Sequence, residues 1–152
     1  MFLKNLNLIH ALFTVLLAAF FIYAGVKKFI PKPPRSEDKA ALVEAVSSGV
    51  YAPPIAFKLT MKSFGQTGFL KMVGVFQILA GLLMLIPQTR LAGLLLLLPV
   101  ILNIFTLHLF LDNRPDENME TGLFLALTVL LIAFYYKKIA ALLWIGKQQH
   151  SF

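Results

Sequence analysis

Six polar side chains lie inside or at the ends of apolar stretches of this sequence, and they are its candidates for chemistry. They are Tyr23, Lys27, Gln77, Asn103, His108 and Asp112. A polar group is costly to bury in lipid, so at membrane depth it is a candidate ligand-binding position by default. His108 and Asp112 are four residues apart and share one helix face. A histidine beside a carboxylate suits a pH-sensitive latch or a hydrogen bond to a ligand oxygen such as a quinone carbonyl, although ordinary helix ends carry such pairs too.

These residue types do not form a recognisable catalytic or metal site. The chain has no cysteine, which excludes thiolate nucleophiles, disulfide exchange and cysteine-bound zinc or iron–sulfur clusters. His10 and His108 are expected at opposite membrane sides, too far apart to ligate one haem iron. We therefore assign no catalytic residue, no metal ligand and no evident cofactor, and expect no catalytic activity from the chain alone.

The composition places the chain in a lipid bilayer. Of its 152 residues, 59% are hydrophobic and only 14% charged, and the mean hydropathy is +0.79. A water-soluble domain with these values would expose large apolar patches. The net charge of +7 comes from Lys and Arg that lie almost wholly outside the apolar runs. This placement indicates contact with anionic lipid and argues against nucleic-acid binding.

Run lengths predict the membrane spans, because about 20 helical residues cross a hydrocarbon core of roughly 30 Å. Four apolar runs qualify, at residues 8–29, 69–86, 91–111 and 121–136. Only four residues separate the second run from the third, which predicts a membrane hairpin. We predict one all-α domain over residues 1–152, a polytopic bundle of four transmembrane helices with a short amphipathic helix in its first loop.

The first loop, residues 30–67, is the only long connection. Ser36 as an N-cap, acidic residues in the first turn and a C-terminal Gly49 predict an amphipathic helix over residues 37–48. Residues 55–62 alternate like a strand, yet the residues with larger apolar side chains also fit a helix face, so both structures stay open there. Lys and Arg are more numerous on the side of this loop, which favours placing it in the cytoplasm.

Depth along the spans divides the candidates into two groups. Four lie at one membrane side: Tyr23, Lys27, His108 and Asp112. Gln77 and Asn103 lie about 7 to 9 Å deeper, at 1.5 Å rise per residue, and match each other in depth. Across an antiparallel hairpin these two amides would form a structural hydrogen bond or the floor of a binding pocket, and the sequence leaves both readings open.

Small residues and one proline mark the expected helix contacts. Gly74, Gln77 and Gly81 recur at spacings of three and four, forming a face that a neighbouring helix can approach closely. Gly25 lies near the end of the first span. Pro99 removes a backbone donor within the third span, so we expect a kink there.

Several segments together resemble the DoxX family of small four-helix membrane proteins. They are GVKKF at residues 25–29, TGFLKMVGVFQILAGLLML of the second span, LPVILNIFTLHLFLD of the third span and FYYKKIAALL after the fourth. The resemblance covers most of the chain. Gln77 stands where many members of the family have a carboxylate.

This resemblance implies a multi-pass protein of the bacterial inner membrane. Some members are linked to thiosulfate:quinone oxidoreduction or to complexes that manage oxidative stress. We therefore expect an accessory subunit of such a complex that binds a quinone or another lipophile. Its partners would be the bilayer and a membrane or peripheral redox protein, and a homo-oligomer is compatible with this role. The alternatives are a lipophile carrier without redox role, or a stand-alone oxidoreductase, which the missing redox groups disfavour.

Overall fold

The structure of the protein is a computed structural model that describes residues 2–30, 37–49 and 53–143. Every regular element within these ranges is helical. The helices are α1 (Phe2–Lys27), α2 (Glu37–Ser48), α3 (Ile55–Gln66), α4 (Phe69–Leu85), α5 (Arg90–Leu107), α6 (Pro115–Ala133) and α7 (Tyr136–Leu143), and a π-helical turn, His108–Asp112, extends α5. The predicted all-α helical membrane bundle is confirmed.

The apolar helices account for two to four membrane crossings. Asn5–Lys27 and Arg90–Asp112 are each long and apolar enough to span a bilayer. Two further spans result if each bent helix pair crosses as one unit. These pairs are α3 with α4, bent by 82°, and α6 with α7, bent by 67°. This assignment rests on length and composition.

The bundle is built around α4 and α5. α4 packs against both α1 and α5, and α6 packs against α5 and meets α1. α1 and α6 meet mainly through aromatic rings, with Phe20 stacked on Phe124 at 4.2 Å between centroids. The buried core comes from all four helices and includes Leu17, Phe21, Met84, Leu97 and Leu131.

Glycines let these helices approach to backbone contact. A Cβ atom on Gly25 would lie 2.7 Å from the carbonyl oxygen of Gly74, and one on Gly74 would lie 2.8 Å from that of Gly25. Gly81 faces the Ala18 carbonyl of α1 in the same way, at 2.9 Å. All three glycines lie where α1 and α4 come closest. Gly93 extends the pattern to the contact between α4 and α5.

The first loop is largely helical. α2 covers the predicted residues 37–48, and Gly49, at φ 68°, follows its end as expected. The proposed N-cap, Ser36, lies outside the described residues. Residues 55–66 form the helix α3, so the helical alternative for this segment is the correct one and the strand is not formed. The chain turns sharply from α3 into α4 at Gly68, which has a φ of 81°.

Several predicted boundaries need correction. α1 ends at Lys27, two residues earlier than expected. The fourth apolar helix begins at Pro115 rather than residue 121, because proline suits the first helical position and two acidic residues follow in the first turn. It ends at Ala133, where the chain bends into α7. α5 runs on through Pro99 to Leu107 and closes in the π-helical turn instead of continuing as α-helix to residue 111.

Candidate functional site

A cavity of ≈ 370 Å³ lies between α3, α4 and α5. α3 contributes Phe57, Met61 and Phe64, which recur at helical spacing on one face. Because α3 lies nearly perpendicular to α4, this face closes one end of the groove between the hairpin helices. The apolar residues of α4 and α5 form the side walls.

The polar residues that α5 contributes to the cavity lie toward one end. From Leu96 to His108 its lining on α5 extends over twelve residues, or about 18 Å at helical rise. The part near Leu96 is apolar, whereas Asn103 and His108 line the other part. Lys28, just after the end of α1, also lines the cavity. The site therefore matches an elongated ligand with an apolar body and a polar end.

His108 belongs to a charged network at the polar end. Its Nδ1 lies 3.2 Å from Oδ2 of Asp112, whose side chain is buried. Arg114 holds the same carboxylate with two nitrogens, donating from Nη2 at 2.8 Å and from Nε at 3.0 Å. Glu117 completes the network, with Oε1 3.2 Å from Nη2 of Arg114. The hydrogen bond to Asp112 raises the pKa of the Arg114 guanidinium above its ordinary value.

The π-helical turn brings this network together. The N–H of Asn113 donates to the carbonyl of His108 at 2.7 Å, and Asn113 takes the left-handed conformation at φ 53°. Asparagine tolerates this conformation better than most residues. The chain then extends through Arg114 into Pro115, which starts α6. The reversal turns Arg114 back toward Asp112, two residues earlier.

Tyr23 and Lys27 share a helix face as predicted but lie away from the cavity. Lys27 Nζ sits 4.5 Å from the centroid of the Tyr23 ring, a cation–π contact on the outer surface. The Tyr23 side chain is 59% exposed. These two candidates therefore do not join Asn103 and His108 in the candidate site.

Gln77 also lies apart from Asn103, so the predicted amide pair is not formed. Gln77 is buried on the side of α4 that faces α1, with its Cβ 3.2 Å from where a Cβ of Gly25 would be. Its Oε1 has no hydrogen-bond partner among the described residues. Asn103 instead lines the cavity. The two residues therefore face different neighbours.

Sequence reasoning overlooked several residues of the site. Lys28 was not among the candidates from the sequence, and Arg114 was not connected with Asp112. Phe57 packs on His108, with ring centroids 4.7 Å apart. The helical spacing of Phe57, Met61 and Phe64 was the available signal, and it required residues 55–66 to be a helix.

His10 lies at the end of the bundle opposite His108, where it forms part of a contact between helices. Its Nε2 lies 3.2 Å from the carbonyl oxygen of Leu131, and its ring stacks on Phe134 at 4.3 Å. This contact joins α1 to the end of α6. Among the residues that the structure describes, no group of three or more His, Asp or Glu side chains is arranged to hold a metal ion.

Comparison with known protein families, curated proteins and solved structures found no match to this chain. The geometry and chemistry of the cavity are therefore the grounds on which a function can be assigned.

Proposed function

We propose that this protein binds a small lipophilic molecule in the cavity between α3, α4 and α5. The observation that carries the proposal is the distribution of polarity in a cavity of ≈ 370 Å³, apolar along its length and polar at one end. Small-molecule sites typically measure about 300 to 1,000 Å³ and combine an apolar lining with a few orienting polar groups. A lipophile with one polar end complements this arrangement.

The lining also supports entry from the bilayer. Three residues of α4 that line the cavity are themselves partly exposed, with Phe69 at 38%, Met72 at 46% and Phe76 at 38%. Their helix belongs to a bundle whose outer surface is apolar, so this side faces lipid. A lipophile dissolved in the membrane would reach the cavity between α4 and α5 without passing through water.

The cellular setting is a second part of the proposal and rests on the resemblance to the DoxX family. That resemblance favours the bacterial inner membrane and an accessory role beside a membrane or peripheral redox protein. A quinone is one lipophile that would suit both the setting and the cavity. A carrier without a redox role would use the same cavity, and identification of the bound molecule distinguishes the two.

Purification with native lipids followed by mass spectrometry of bound small molecules tests the proposal. Val100→Trp places an indole into the cavity, whereas Leu102→Trp adds the same group to the exposed side of α5, outside the lining. We expect a lipophile to co-purify with the parent and with the Leu102 variant, and to fall at least about tenfold in the Val100 variant, a loss of about 1.4 kcal/mol. Equal retention in both variants, or none in the parent, would refute binding in this cavity.

A further inference from the structure

The two ring nitrogens of His108 have different surroundings. Nδ1 faces two acids, Asp112 Oδ2 at 3.2 Å and Glu117 Oε2 at 3.9 Å. Nε2 has no hydrogen-bond partner within the described part of the chain. Phe57 covers the ring from α3, and His108 lines the cavity. With Nδ1 held by Asp112, the opposite edge of the ring is the one available to a ligand.

The hydrogen-bond partner of Nδ1 determines whether Nε2 of a neutral imidazole donates or accepts a hydrogen bond. Asp112 is bound by two nitrogens of Arg114, which can only donate, so its carboxylate is ionised and acts as an acceptor toward His108. A neutral imidazole then keeps its proton on Nδ1, and the lone pair remains on Nε2. In this form Nε2, the ring nitrogen that Asp112 does not hold, is a hydrogen-bond acceptor.

We propose that the lipophile bound in this cavity carries a hydroxyl group, such as a long-chain phenol, quinol or alcohol, and donates its hydrogen bond to Nε2 of His108. This inference rests on the proposed binding function and specifies its ligand class. It also replaces the expectation that His108 donates to a carbonyl. Asp112 acts as a positioning residue that fixes the tautomer, and Asn103 offers a second polar contact about 7.5 Å along α5 from His108, at five residues' rise.

Matched ligands test this inference in lipid nanodiscs. 4-Dodecylphenol donates a hydrogen bond, and its methyl ether has nearly the same shape but cannot donate. We expect the parent to bind the phenol about tenfold more tightly at equal membrane concentration, since one hydrogen bond of about 1.4 kcal/mol corresponds to that ratio. His108→Phe keeps an aromatic ring against Phe57 but lacks the acceptor. We expect it to bind the methyl ether normally and to lose the preference.

Binding of the methyl ether serves as the folding control for the variant. If both ligands bind the parent equally and Val100→Trp excludes both, the cavity binds lipophiles but the hydroxyl assignment is wrong. If neither ligand binds the parent, the binding function and this inference fail together. Nitrogen-15 NMR of the parent at pH 8 provides an independent measurement. We expect the ring proton on Nδ1 and a bare Nε2, and a proton on Nε2 would overturn the inference.

Discussion

Replacing Gly74 tests how tightly α1 and α4 are packed. A Cβ at this position would lie 2.8 Å from the Gly25 carbonyl oxygen and 3.1 Å from Cε2 of Phe29. Carbon–oxygen contacts between helices are ordinarily about 3.3 to 3.6 Å, so the helices must separate by about 0.5 Å to admit a methyl group. The Gly25 carbonyl belongs to the backbone, so rotation of a side chain cannot relieve this contact.

The expected loss of stability follows from two opposing terms. Overpacking of a close helix contact costs about 1 to 3 kcal/mol. Alanine recovers up to about 1 kcal/mol through its higher helix propensity. Gly74→Ala should therefore lose about 1 kcal/mol of unfolding free energy. Gly74→Val should lose about 3 kcal/mol, because its larger branched side chain needs more space and has a poorer helix propensity than alanine.

Reversible unfolding in mixed detergent micelles, followed by circular dichroism, measures these changes. Gly65→Ala is the matched control, since its Cβ would meet only Leu70 Cδ1 at an ordinary 3.9 Å. We expect this control to be neutral or stabilised. The double variant Gly25→Ala/Gly74→Ala should lose less than the sum of the single changes, because one separation of the helices relieves both contacts.

The valine variant gives the clearest refutation. If Gly74→Val unfolds at the same denaturant concentration as the parent, α1 and α4 do not meet at backbone distance. Fully additive losses in the double alanine variant would show that the two glycines do not share one contact.

Three further predictions concern topology and buried polar groups. Cysteines introduced at Ser48 and Gln88 should react with impermeant maleimide from opposite membrane sides, because α2 packs on α3 at one end of the bundle and the α4–α5 turn lies at the other. Arg114→Gln should lower the midpoint of chemical denaturation, because the buried Asp112 carboxylate loses its charged donors. Gln77→Met should raise the unfolding free energy by about 1 kcal/mol, since Oε1 has no partner to lose.

Each of these predictions has a contradicting result. Labelling of both cysteines from one side would exclude the four-span topology. An unchanged midpoint for the Arg114 variant would mean that Asp112 is stabilised without it. A Gln77 variant less stable than the parent would indicate that this amide has a partner in the membrane-embedded protein.

The sequence predicted those elements that local pattern determines. α2 follows from its acidic first turn and its terminal glycine, and the hairpin of α4 and α5 follows from two apolar runs with a four-residue connection. Gly74 and Gly81 were assigned to helix contacts because their spacing places two small residues on one helix face. These features depend on neighbours in sequence or on the absence of a side chain.

The site was only partly predictable, because it depends on which way each helix is rotated. Asn103 and His108 were candidates and do line the cavity. Gln77 was paired with the wrong helix, although it shares a face with the glycines that pack on α1. The contribution of α3 depends on its sharp turn at Gly68, which run length and periodicity do not encode.

The backbone contacts on both sides of α4 restrict how this bundle can move. Gly74 and Gly81 lock α4 to α1, and a Cβ on Gly93 would lie 2.7 Å from the carbonyl oxygen of Ala80, which locks α4 to α5. Sliding any of these helices by one residue would drive a Cβ into a carbonyl group. We therefore expect these three helices to move as one unit. Relative motion is left mainly to α3, which packs against α4 and the π-helical turn and not on these close backbone contacts.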